Sequence, residues 1–104
     1  MARDQSAPKD TTLEKEKKKT KEPERYHVVM LNDDFTTMEF VIEVLVTIFN
    51  KDVVTATNIM RSIHEKGRGI AGTYSFDIAS TKVKEVHTQA KEKGYPLKCT
   101  LDKA

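Results

Sequence analysis

The chain has 104 residues, a formal net charge of +2, 33% charged residues and one cysteine. That length allows one small domain with a tail. The near balance of charge signs argues against a surface built for nucleic acid or membrane, and a lone Cys99 excludes an internal disulfide framework and suits a reducing compartment. No apolar run reaches transmembrane length and no signal-peptide core stands near the N-terminus, so a soluble, cytoplasmic protein is expected.

Residues 1–25 stand apart. Lys15, Lys17, Lys18, Lys19 and Lys21 alternate with Glu14, Glu16 and Glu22, and apart from Met1, Leu13 is the only large apolar side chain before Tyr26. Such a segment buries too little surface to offset its ordering entropy, so a disordered charged extension is expected, serving as a solubilising tail or as a tether. Tyr26 to Leu31 then reads as a buried strand. Thr36 or Thr37 caps the next helix, with Glu39 in the first turn, where the macrodipole favours negative charge. Met38, Val41, Ile42, Leu45, Val46, Ile48 and Phe49 recur at helical spacing and make this helix the centre of the core.

Asn50-Lys51-Asp52 reads as a turn, with Asp52 capping a helix over Val53 to Lys66 whose apolar face is Ala56, Ile59, Met60 and Ile63. Gly67 is placed as its stop. Gly69 to Tyr74 reads as a strand. Ser75 or Asp77 starts a third helix with Ile78, Val83, Val86 and Ala90 inward, ended by Gly94-Tyr95-Pro96. Leu97 to Leu101 alternates as a half-buried strand should. The predicted order is β-α-α-β-α-β, an α+β domain over residues 26–104 with a small three-stranded antiparallel sheet packed against three helices.

The chemistry is sparse. His27, His64 and His87 are scattered without metal-ligand spacing, and Asp33-Asp34 is too few oxygens for a hard-cation cage, so no metal or other cofactor is expected. Cys99 reads as a small core residue, and neither Ser62 nor Ser75 sits in a nucleophile elbow, so an enzyme is not expected. Gly67-Arg68-Gly69 is a turn rather than a phosphate loop. What remains is the acidic loop Asn32-Asp33-Asp34 between the first strand and its helix. Taken in isolation, the loop is better explained as an Asx turn with a helix cap, a use Asn and Asp serve routinely; His64 changes that weighing. His64 lies on the same face of the second helix as Met60, beside Ile63. If the two helices pack side by side, an amide, a carboxylate and an imidazole converge above an apolar hole lined by Met38, Val41, Met60 and Ile63. That is the form of a site for a cationic donor attached to a bulky apolar group.

The run Asn32-Asp33-Asp34-Phe35-Thr36-Thr37-Met38-Glu39-Phe40-Val41, the later Thr81-Lys82-Val83 and the ending Pro96-Leu97-Lys98-Cys99-Thr100-Leu101 resemble the bacterial Clp protease adaptor family ClpS. The resemblance covers the chain from about Tyr26 onward. It implies an adaptor, not an enzyme, that binds proteins beginning with Leu, Phe, Tyr or Trp (the N-degron). The adaptor hands them to the N-terminal domain of a Clp AAA+ unfoldase partnered with the ClpP peptidase. No exposed coiled-coil seam in the sequence argues for a dimer, so a monomer is expected. Carried over by position, Asn32, Asp33 and His64 match groups that hydrogen-bond the substrate's α-amino group and first peptide unit. Asp34, Thr36 and Met38 match the pocket mouth, with Met38 gating against β-branched residues. Val41, Met60, Ile63 and Leu97 match the apolar wall, and Asp77 and Lys82 match the unfoldase contact. The N-terminal extension matches a segment fed toward the unfoldase pore. Two positions depart from the family's usual pattern: Thr37, where many members have Pro, and Ile63, where relatives often have Val. They imply a less stiff loop and a smaller pocket.

The alternatives are a generic protein-interaction domain whose acidic loop is only a cap, and, more distantly, metal-dependent hydrolysis at Asp33 and Asp34.

Overall fold

The computed structural model describes residues 23–104; the charged N-terminal segment read from the sequence lies, through residue 22, outside the described residues. The order is β1 (Arg25–Leu31), α1 (Met38–Thr47), α2 (Val53–Lys66), β2 (Arg68–Ser75), α3 (Phe76–Lys93) and β3 (Lys98–Lys103). The strands form one sheet in the order β2-β1-β3, and β1 pairs antiparallel with both neighbours. The α+β reading and the element order therefore hold.

Because side chains alternate along a strand, β1 serves two faces. Tyr26, Val28 and Met30 join Cys99 and Leu101 of β3 in the core under the helices. On the other face His27 Nδ1 lies 2.8 Å from Thr73 Oγ1, and Arg68 reaches across β1 to Asp102 at 2.6 Å. The β1–β2 register passes from Val28↔Gly72 to Val29↔Ile70, so Ala71 is the extra residue of a bulge. Ala71 is fully buried in the core.

Each helix end has a local cause. Thr37 caps α1, its Oγ1 accepting from Phe40 N at 3.1 Å, which decides between the two threonines. Asp52 occupies the N-cap of α2 through its backbone, its carbonyl accepting from Ala56 N at 2.8 Å, without a side-chain cap bond. Gly67 ends α2 at φ 89°, a left-handed conformation that glycine adopts without a Cβ penalty. Gly94 ends α3 in the same way, and the next residue, Tyr95, donates to Ala90 O at 2.8 Å and lays its ring 4.9 Å from that of Phe40.

Three details differ from the periodicity reading. Helix α1 stops at Thr47, and Ile48 and Phe49 are buried beyond its end. Phe40 and Val44, outside the expected stripe, are buried within it, because a short central helix packs on more than one side. Ile78, expected inward, is 51% exposed; the adjacent Ala79 takes the core position instead, since α3 starts at Phe76 and its phase follows from there.

Candidate functional site

The acidic loop is held at both ends by the fold. Asn32 N donates to Gly67 O at 2.9 Å, which ties the end of β1 to the end of α2 and brings Asn32 beside the last turn carrying His64. Within the loop, Asp33 is the organiser. Its Oδ1 accepts from Phe35 N (2.8 Å) and Thr36 N (2.7 Å), and its Oδ2 accepts from Thr36 Oγ1 (2.6 Å). A carboxylate has about four lone-pair positions, so three are used and one on Oδ2 is left. Desolvation pushes the Asp33 carboxyl upward, but the hydrogen bonds from Thr36 and Phe35 outweigh it and hold it below its ordinary 3.8. The group is an anion at neutral pH.

Next to this loop lies a cavity of about 500 Å³. Asn32, Asp33, Asp34, Thr36 and His64 supply its polar side; Met38, Val41, Met60 and Ile63 supply its apolar side. Val41 and Ile63 are buried wall residues, whereas Met38, expected in the core stripe, is 53% exposed at the rim. The structure thus brings nine of the ten sequence-predicted binding residues to one cavity. The tenth, Leu97, is 3% exposed in the core and is not among the lining residues. Sequence reasoning missed Phe35, Thr37 and Glu39 as lining residues. The signal was present for Phe35, an aromatic residue inside an otherwise polar loop.

Ile63 owes its place to a glycine. A Cβ on Gly69 would stand 2.8 Å from Ile63 Cγ1, so only glycine lets β2 approach α2 this closely. The cavity wall and the strand behind it are therefore coupled.

Asp77 and Lys82 lie apart from the cavity and share a surface hollow of about 240 Å³ with Ile78, Thr81 and Glu85. The Lys82 ammonium, however, turns inward. It donates to Ile48 O at 2.7 Å and lies 5.9 Å and 5.3 Å from the ring centroids of Phe49 and Tyr74. It thus satisfies a carbonyl just past the negative end of the α1 dipole.

Other chemistry is thin. Cys99 is buried, and desolvation pushes its thiol up to about 12, so it stays protonated. His87 Nε2 accepts from Cys99 N at 3.0 Å, a bond that docks β3 on α3. Among the described residues no three His, Cys, Asp or Glu side chains gather as a metal site, and no helix is long and apolar enough to cross a membrane.

Comparison with known proteins decides the family. The family model described as "ATP-dependent Clp protease adaptor protein ClpS" matches residues 21–100. The chain belongs to the ClpS family. It is 52% identical over 94 residues to the ClpS of Paraburkholderia xenovorans, covering 90% of each chain. It is 50% identical over 95 residues to that of Paraburkholderia phymatum, covering 91% of each. A solved structure of Agrobacterium tumefaciens ClpS2 bound to L-phenylalaninamide matches with a TM-score of 0.76 and 38% identity, over 79% of this chain and 99% of that one. As a ClpS, this protein is an adaptor of the Clp protease system, a class that acts by binding and not by catalysis.

Proposed function

We propose that the cavity binds the N-terminal residue of proteins beginning with Leu, Phe, Tyr or Trp. In this reading it takes the free α-amino group on its polar side and the side chain on its apolar side. The observation that carries this is the convergence of the loop acceptors and the Met38, Val41, Met60 and Ile63 wall on one cavity. Phenylalaninamide, the ligand of the ClpS2 relative, offers the same pairing of a free amine and a bulky apolar group.

The amine has a pKa of about 7.7–8.0 and is mostly protonated near neutrality. It brings three N–H donors to a carboxylate with one acceptor position left. Hydrogen bonds to a charged group contribute roughly 1.5–3 kcal/mol each. Burying a Leu or Phe side chain contributes roughly 1.5–3 kcal/mol. Association costs at least about 4 kcal/mol in lost freedom. Neither interaction suffices alone, so the site works as a conjunction: free amine and large apolar side chain. Asn32 and His64 complete the polar side toward the first peptide unit, Asp34 and Thr36 shape the mouth, and Met38 at the rim gates against β-branched residues.

Delivery is the second half of the proposal. The Asp77 and Lys82 face would meet the N-terminal domain of a Clp AAA+ unfoldase acting with ClpP, and the N-terminal extension would lead toward the unfoldase pore. The adaptor acts as a monomer in the cytoplasm, with no catalytic group of its own. Fluorescence anisotropy of a labelled peptide beginning with Leu, beside the same peptide beginning with Ala and an N-acetylated Leu peptide, tests the binding half. Micromolar or tighter binding by the free Leu peptide alone is expected. Equal binding of all three would reduce the loop to a helix cap and the protein to a generic interaction domain.

A further inference from the structure

One apolar side chain that lines the cavity stands outside the core. Phe35 is 76% exposed, more than any other large hydrophobic residue described. The chain has four phenylalanines. Phe40, Phe49 and Phe76 each pack against a tyrosine ring, whereas Phe35 stacks on none among the described residues. Its backbone is nonetheless fixed, because Phe35 N and Thr36 N both donate to Asp33 Oδ1. The loop therefore fixes the backbone that carries an exposed phenyl group on the cavity lining, which also includes half-exposed Met38.

We propose that Phe35, with Met38, forms a second apolar subsite that reads the side chain of the substrate's second residue. This rests on the amine-and-side-chain reading above. Consecutive Cα atoms are about 3.8 Å apart, so a peptide whose amine sits at Asp33 carries its second residue across the rim at once. In an extended peptide successive side chains point to opposite sides. The first enters the cavity, and the second faces outward, where Phe35 stands. The rim's other exposed side chains include the carboxylates of Asp34 and Glu39. Phe35 supplies the only phenyl ring of the lining. An apolar second residue would cover this ring and gain what a glycine cannot.

The test is a competition titration with unlabelled peptides beginning Leu-Leu, Leu-Gly and Ala-Gly, against the parent protein, Phe35→Ala and Phe35→Leu. The readout is the ratio of the Leu-Leu and Leu-Gly affinities. The parent is expected to favour Leu-Leu by about 3- to 10-fold, tenfold being about 1.4 kcal/mol. Phe35→Ala should bring the ratio to within about twofold, and Phe35→Leu should restore most of it, since a branched apolar side chain still covers part of the subsite. A parent ratio near one, or an unchanged ratio in Phe35→Ala, overturns the subsite. Failure of the parent to prefer Leu-Gly over Ala-Gly overturns the first-residue reading itself, a separate outcome of the same experiment.

Discussion

At the N-terminal end of α1 a carboxylate, Asp33, takes three donors from its own loop and keeps one acceptor position beside a cavity. Past the C-terminal end an ammonium, Lys82, is spent inward on Ile48 O and two aromatic faces. The Lys82 charge complements the helix dipole, whereas Asp33 acts on the loop before the helix begins. From the sequence both were assigned outward roles, one toward substrate and one toward a partner. The geometry separates them. Asp33 has a spare valence next to an apolar hole, while Lys82 contributes first to holding the core. A charged residue in a recognition motif thus divides its interactions between scaffold and ligand, and the division is visible only once its hydrogen bonds are counted.

The largest break in this comparison comes from removing Asp33. Asp33→Ala deletes the amine acceptor and the hub of the loop together, so affinity for a Leu-initiated peptide should fall by 100-fold or more, about 2.7 kcal/mol, in an anisotropy titration. Lys82→Met keeps the aliphatic stem and removes the charge. A cation at a helix C-terminus contributes up to about 2 kcal/mol when partly buried. We expect a loss of about 1–2 kcal/mol in urea unfolding, or several degrees in the thermal midpoint. If Lys82→Met unfolds like the parent, the inward role is wrong and the side chain belongs to a partner alone.

Ile63→Val should act more gently. Removing one methylene from the wall costs about 0.5–1.5 kcal/mol of stability. The added room should raise the affinity of Phe-initiated over Leu-initiated peptides several-fold, within the range of about 1–3 kcal/mol set by one methylene in an apolar pocket. Gly69→Ala approaches the same wall from behind, pressing its Cβ on Ile63, and should shift the preference the other way.

The smallest effect is on pH. Asp33 is held below its ordinary 3.8, so its contribution to stability is complete above that value and is lost as pH falls through the folded-state value. Thermal melts should show this loss only on the acid side. Above about pH 8 the peptide's amine loses its proton, and affinity should decline there for a separate reason.

The sequence carried the six elements because each had a local cause. A continuous apolar run marked β1, alternation marked β3, and Gly67 and Gly94 marked the left-handed helix ends. The polar and apolar sides of the cavity were legible because the loop, the face bearing Met60 and His64, and the resemblance converge on the same residues. What escaped depended on three-dimensional phase or on long-range contacts. Ile78 turned outward once α3 began at Phe76. Leu97 went to the core just before β3, where pairing with β1 fixes the strand. Lys82 found Ile48 O, 34 residues away in sequence, which no spacing rule reveals. Phe35 was hidden by its setting, since a lone apolar residue in a polar loop reads as noise until a cavity appears beside it.

The most direct test of the central claim is a cycle between Asp33→Asn and N-acetylation of a Leu-initiated peptide. Asparagine's Oδ1 can still accept from Phe35 N and Thr36 N, and Thr36 Oγ1, which donates to Oδ2 in the parent, can turn to accept from the new Nδ2–H, so the turn persists while the anion is lost. If Asp33 receives the α-amino group, acetylation and Asp33→Asn should each weaken binding strongly, and applying both should cost little more than either alone. Additive losses would contradict the account: the amine and the carboxylate would then act independently, and Asp33 would be only the loop-organising scaffold of a pocket that reads the amine elsewhere.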